Sequence, residues 1–95
     1  MDCRSISFSR HAIQRMFERA ISPEEVGVVV RTGEVIADYP DDTPYRSMLI
    51  MAIVSGRPLH VVAARDDATG ICYVVTAYVA DSDQWESDFK TRKPT

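Results

Sequence analysis

The sequence predicts an α+β fold in which two N-terminal helices pack on a curved four-stranded antiparallel sheet and a short C-terminal helix ends the chain. Two observations predict this class. Apolar residues first recur at helical spacing up to Gly33, and after it they form short runs separated by turn residues. The chain has 95 residues, 45% of them hydrophobic, which is enough for one buried core, so we expect a single domain over residues 1–95.

The first helix is predicted to start after Ser9, which is a good N-cap residue, and to run to about Arg19. Its apolar face consists of Ala12, Ile13, Met16, Phe17 and Ala20. Its polar face consists of His11, Gln14, Arg15, Glu18 and Arg19. On that polar face His11, Arg15 and Arg19 are four residues apart, so they line up along the helix. We expect the apolar face to pack on the sheet.

The second helix has a more explicit start signal. Ser22 supplies the N-cap, Pro23 suits the first helical position and Glu25 completes a capping box. The valine-rich residues 26–30 alone would favour a strand. The caps, together with Gly33 just beyond the end, favour a helix that ends near Thr32.

Four strands are predicted after Gly33, at Glu34–Tyr39, 46–54, 59–66 and Ile71–Val79. Residues 68–70 suit a three-residue hairpin loop with Gly70 in the left-handed conformation. Asp81 or Ser82 is predicted to cap the last helical turn, which carries Trp85 and Phe89.

A three-residue loop fixes the register of the last hairpin. Asp67 then pairs with Ile71, His60 lies opposite Tyr78, and Val62 faces Thr76. Because side chains alternate, one face of the hairpin is partly polar. That face carries His60, Asp66, Cys72, Thr76 and Tyr78. The other face is apolar and is the expected seat of the helices.

Charge and cysteine content exclude several classes of protein. The net charge of −3 argues against nonspecific binding to polyanions. Cys3 and Cys72 are far apart, and their spacing predicts neither a disulfide framework nor a zinc site. We find no signal-peptide pattern and no membrane-spanning run, so we expect a reduced cytoplasmic compartment and no membrane partner.

The two histidines are the chief candidates for chemistry, and each has an ordinary alternative. His11 is either an exposed imidazole on a surface helix or a proton-transfer group. His60, in an apolar strand, is either a structural histidine bonded to Tyr78 or a functional one. No metal-ligand spacing, phosphate-binding glycine loop or serine-nucleophile motif occurs, so we expect no metal and no cofactor.

Several segments resemble a bacterial family called domain of unknown function 4258. They are Phe8-Ser9-Arg10-His11-Ala12, Arg15-Met16-x-Glu18-Arg19, Ile21-Ser22-Pro23-Glu24-Glu25-Val26, Gly33-Glu34-Val35-Ile36-x-Asp38-Tyr39-Pro40, Arg57-Pro58-Leu59-His60-Val61-Val62, and Thr76-x-Tyr78 followed by Trp85. The resemblance covers nearly the whole chain. The sequence departs from the family pattern at Ala20, where a glycine usually turns the chain out of the helix.

The resemblance implies a fold like that of small RelE-like and MqsR-like toxins, and by that analogy a metal-independent ribonuclease of a toxin–antitoxin pair. RNA and an antitoxin-like protein are then the expected partners. His11 and His60 would transfer protons during attack of a ribose 2′-hydroxyl on phosphate. The developing charge would be stabilised by Arg15 and Arg19, with hydrogen bonds from Thr76 and Tyr78. His11 and His60 can meet only around an edge of the sheet, because the polar helix face points away from it.

The alternative hypothesis is a non-catalytic protein-binding module. In that case the basic face of the first helix binds an acidic partner, or an open sheet edge pairs with another chain. The acidic net charge fits this alternative better than an RNA enzyme.

Overall fold

Within residues 1–94, five strands form a mixed sheet, and two helices cover one face of it. The computed structural model describes residues 1–94. In chain order the elements are β1 (Ser5–Phe8), α1 (Arg10–Glu18), α2 (Pro23–Thr32), β2 (Glu34–Tyr39), β3 (Ser47–Val54), β4 (Arg57–Arg65) and β5 (Ile71–Val79). The strand order in the sheet is β1-β5-β4-β3-β2, with β1 parallel to β5 and the other pairs antiparallel. The prediction of a four-stranded antiparallel sheet with a C-terminal helix was therefore wrong.

The missing element is β1, which the sequence did not indicate. It has only four residues, and Ser5 to Phe8 pair with Ile71 to Val74. No local turn connects the two strands, since a parallel pair needs a long crossover. A short strand with a partner so far along the chain has no local hairpin signal that would identify it.

The parallel pair also corrects the prediction for the cysteines. Cys3 and Cys72 form a disulfide between residues whose Cα atoms are 5.6 Å apart. Both side chains are buried in the core on the helix side of the sheet. Sequence spacing could not show this pairing, because only the β1–β5 register brings the two residues together.

The C-terminal segment, residues 80–94, forms turns where a helix was predicted. Asp81 does close one turn, since its carbonyl accepts from the backbone N–H of Gln84 and Trp85. The Asp88 carboxylate then accepts hydrogen bonds from the backbone N–H groups of Lys90 and Thr91, which stabilises a second turn. These local side-chain hydrogen bonds compete with helix formation. The segment packs Trp85 and Phe89 on the sheet face opposite the helices.

The helix boundaries agree with the sequence. The Ser9 hydroxyl accepts from the N–H of Ala12, and Ser22 and Glu25 form the reciprocal capping box. Helix α1 packs mainly on β5, whereas α2 packs on β3 and β4. The core lies between the helices and the sheet and includes Ala12, Met16, Val26, Val29, Ile50, Leu59, Val61 and Val74.

One side of the α1 apolar face does not reach this core. Ala12 and Met16 are buried, but Ile13 is 53% exposed and Phe17 is 86% exposed. Ala20 leaves the helix with a φ of 53°, the left-handed conformation that favours glycine. The expectation that all five apolar residues pack on the sheet was wrong for these three positions.

The β4–β5 hairpin keeps half of its predicted register. His60 pairs with Tyr78 and Val62 with Thr76, as predicted. A β-bulge then shifts the register by one residue, so that Ala63 pairs with Val74 and Arg65 with Cys72. The predicted pairing of Asp67 with Ile71 was therefore wrong, because Asp66 lies opposite Ile71 and the loop has one more residue than predicted. A one-residue shift exchanges the two faces of a strand. Cys72 therefore lies in the helix-side core, not on the face of His60.

Two glycines at α2 provide a matched test of the packing. A Cβ at Gly33 would lie 2.7 Å from Ile50 Cγ2 and 2.8 Å from the Met51 carbonyl oxygen, whereas a Cβ at Gly27 meets nothing within 4 Å. We expect Gly33→Ala to lower the free energy of unfolding by about 1–3 kcal/mol. Gly27→Ala, inside the helix, should raise it by about 0.5–1 kcal/mol. Urea unfolding of the two variants measures both effects, and equal changes would contradict this packing.

Candidate functional site

His60 lies on the sheet face opposite the helices, beneath the C-terminal segment. Its side chain is fully buried. The neighbouring strand residues Leu59 and Val61 point to the helix side, into the core that contains Ala12 and Met16. The imidazole contacts Trp85 edge-on, with ring centroids 4.5 Å apart.

Both nitrogens of His60 are used in hydrogen bonds. Nε2 lies 2.7 Å from the carbonyl oxygen of Phe89, and Nδ1 lies 3.2 Å from the Tyr78 hydroxyl. A carbonyl oxygen can only accept, so Nε2 carries the proton and Nδ1 accepts from Tyr78. Burial lowers the pKa of His60, because the charged imidazolium would lose its hydration. The ring is thus held neutral and in one tautomer, as in a structural histidine.

Tyr78 and Thr76 share the face of His60 and lie near an open edge of the sheet. Strand β1 pairs with residues 71–74 of β5, so within residues 1–94 the remainder of β5 has only β4 as a strand neighbour. Both side chains are half-buried. Burial raises the pKa of Tyr78, while the charges of Arg92 and Arg19 act in the opposite direction.

Arg19 joins α1 to this edge. Its Nη1 donates to the carbonyl oxygen of Ala77 at 2.8 Å. Arg19 follows the last residue of α1, and its charge acts on Tyr78 from the helix side. The polar flank of α1 and the polar face of β5 therefore approach each other here.

Arg15 and His11 lie further back along α1. Arg15 forms an exposed ion pair with Glu18, with 3.3 Å between Nη1 and Oε2. His11 is exposed on the first turn of the helix. The structure thus brings Arg19, Thr76 and Tyr78 to one edge but leaves His11 and His60 on opposite sides of the sheet. Direct proton transfer by both histidines at one phosphate has no geometric basis in this arrangement.

Two residues near this site were missed by sequence reasoning. The Phe89 carbonyl fixes the His60 tautomer, and Arg92 lies with its Cζ 5.9 Å from the Trp85 ring centroid. Neither contact has a sequence signal, because each depends on how an irregular segment folds back on the sheet. The aromatic pair Trp85 and Phe89 does indicate an anchored C-terminus.

A second candidate surface is an open apolar groove beside α1. It is lined by Ile13, Met16, Phe17, Ala20, Ile21, Ser22, Pro23 and Glu25. Arg57 holds two of these residues in place, since its Nη2 donates to the Ala20 carbonyl at 2.9 Å and to the Glu25 carboxylate at 3.1 Å. The pKa of Glu25 is lowered by the backbone N–H of Ser22 and by Arg57. These contacts hold the α1–α2 turn in one position.

Within residues 1–94, no three His, Cys, Asp or Glu side chains are placed to hold a metal ion. Over the same residues, neither helix has the length and apolarity needed to cross a bilayer.

The neutral His60 gives the fold a defined pH dependence. The folded chain binds a proton at His60 more weakly than the unfolded chain, in which the pKa of this imidazole is about 6.5. Acid therefore favours the unfolded state, and the free energy of unfolding should fall as the pH is lowered from about 7 to 5. Denaturant titrations across this range measure the slope. His11→Gln should keep the fall and His60→Gln should lose it, and an unchanged slope in His60→Gln would be inconsistent with this assignment.

Comparison with known proteins identifies the family but not an activity. A family model described as a domain of unknown function (DUF4258) matches residues 8–79. Neither a curated protein nor a solved structure matches the chain. The matched residues contain α1, α2 and β2 to β5, whereas the C-terminal segment lies beyond them. The chain belongs to the DUF4258 family of domains of unknown function.

Proposed function

We propose that this protein is a protein-binding module whose docking surface is the apolar groove beside α1. The observation that carries the proposal is the exposure of Phe17, which is 86% accessible and lies one helical turn from the half-exposed Ile13. Large apolar side chains grouped in one concave patch are typical of interaction sites.

The groove is preformed, and this favours binding. Arg57 ties the α1–α2 turn to β4, and the capping box fixes the start of α2. A surface that is already ordered loses less conformational entropy when a partner binds. The apolar lining calls for a partner that inserts apolar side chains, for example from the exposed face of an amphipathic helix.

Charge indicates the character of that partner. The segment from Arg10 to Arg19 carries three arginines and one glutamate, in a chain whose net charge is −3. An acidic partner would therefore be attracted to α1 and not to the rest of the molecule. An antitoxin-like protein is one partner of this kind.

Co-purification from the native host with Phe17→Asp tests this proposal. Phe17 makes little contact with the fold, so the variant should keep its thermal stability and lose a stoichiometric partner that the native chain retains. Ile53→Asp is the matched control, because Ile53 is 59% exposed but lies on β3, outside the groove. The interaction must then be reproduced with purified components. Equal recovery of the partner by both variants would exclude the groove.

The second candidate function is a metal-independent ribonuclease, and the position of Arg19 favours it. The guanidinium lies at the β5 edge close to Tyr78, and Thr76 shares the face of Tyr78. An arginine and two hydroxyl groups are suited to a phosphodiester, with His11 or Arg15 approaching from α1. His60 would then position Tyr78 and would not itself transfer a proton.

Cleavage of single-stranded RNA in the presence of EDTA tests this second function. Arg19→Ala and Tyr78→Phe should each lower the rate by about a hundredfold or more, since each removes a group that stabilises developing charge. His11→Ala tests the proton-transfer role in the same assay. Arg46→Ala serves as the control, because Arg46 pairs with Asp38 near the opposite sheet edge. Activity that is equal in all these preparations would indicate a contaminating nuclease.

A further inference from the structure

We infer that the open edge of β5, residues 75–79, binds an extended acidic segment of a partner protein as an added sixth strand. The inference rests on the proposed role as a protein-binding module and names a second contact, on the other flank of α1 from the groove. This segment of β5 is called the β5 edge below.

The backbone of the β5 edge is directed outward at alternate residues. Arg19 reaches the Ala77 carbonyl oxygen from outside the sheet, so the polar groups of Ala77 point away from β4. The N–H of Ala80 donates to the Pro58 carbonyl on the β4 side. Because the direction of the backbone groups alternates along a strand, the N–H and C=O of Val79 point away from β4, like those of Ala77. An extended chain can satisfy the donors and acceptors of such an edge together.

Residues 75–79 carry none of the side chains that usually protect an edge against added strands. Edge strands are commonly guarded by lysine, proline or an inward-pointing charge. Residues 75–79 read Val-Thr-Ala-Tyr-Val, with Val75 47% exposed and Val79 38% exposed. The Arg19 guanidinium, from the residue that follows α1, occupies one acceptor of this edge, and an added strand displaces it.

Charge complementarity selects an acidic segment. Arg19 on the helix side and Arg92 on the opposite side both act on Tyr78. A partner N–H that takes the Ala77 carbonyl would release the Arg19 guanidinium, and a carboxylate on the partner would then pair with it. A second copy of this chain would instead bring a second Arg19 to the same edge, which is a like-charge contact.

The test uses a fluorescent peptide of about seven residues in which valine alternates with glutamate, matched to a strand of ordinary length. We expect fluorescence anisotropy to show binding, and amide hydrogen exchange at Ala77 and Val79 to slow in the complex. The same peptide with alternate amides N-methylated cannot complete the strand ladder and should not bind. This comparison needs no variant protein, so it is independent of any effect of mutation on folding.

Charge reversal supplies the second arm. Arg19→Glu should lower the affinity for the glutamate peptide by about tenfold and raise the affinity for a peptide in which lysine replaces glutamate. Arg46→Glu changes the net charge equally near the far edge of the sheet and should leave both affinities unchanged. Phe17→Ala changes the groove but not the charge near Arg19, so it should bind the peptide normally, which separates this inference from the groove.

Three results would overturn the inference. The first is the absence of peptide binding. The second is binding that tolerates N-methylation or perturbs Phe17 in place of Ala77 and Val79, which would assign the peptide to the groove. The third is a dimer in sedimentation that protects Ala77 and Val79 without peptide, which would identify the occupant as a second copy. Each of these leaves the partner-capture test with Phe17→Asp to be decided on its own.

Discussion

The parallel pairing of β1 with β5 is the constraint on which the rest of the structure depends. It joins the two ends of the fold, and the Cys3–Cys72 disulfide secures it within the core. Helix α1 begins two residues after β1 ends, so it has to lie over β5. Because β1 is so short, it leaves the remainder of β5 open beside α1. Both candidate surfaces follow from this one placement, since they are the two flanks of α1.

Burial of His60 changes the assignment of functional surfaces. The polar sheet face that was expected to be open is covered by Trp85 and Phe89. Covering it satisfies both nitrogens of His60 but removes that imidazole from direct contact with a substrate. A buried neutral histidine stabilises the attachment of the C-terminal segment, because its hydrogen bonds join β4, β5 and that segment. The exposed chemistry of the molecule is therefore concentrated on α1 and the adjacent edge.

Local sequence signals identified most of the elements. Capping residues located α1 and α2 to within a residue, and β-branched runs located β2 to β5. The pairings of His60 with Tyr78 and of Val62 with Thr76 agree with the prediction only because the bulge offsets a one-residue error in the predicted loop. The bulge was not predictable, because it depends on how β5 adjusts to β1 on one side and β4 on the other. It moved Cys72 to the opposite face and into contact with Cys3.

By itself, the sequence determined the family, from the match of its motifs, and the candidate polar residues. It also determined the helix caps and four strands, because these depend on contacts between near neighbours in the chain. Only the tertiary structure decided how those residues are grouped. The β1–β5 pairing, the disulfide and the folding back of the C-terminal segment each join residues far apart in sequence, and no local propensity encodes such contacts. They separate His11 from His60 and bring Arg19 beside Tyr78. They also leave Phe17 exposed, because α1 packs on β5 through Ala12 and Met16 only.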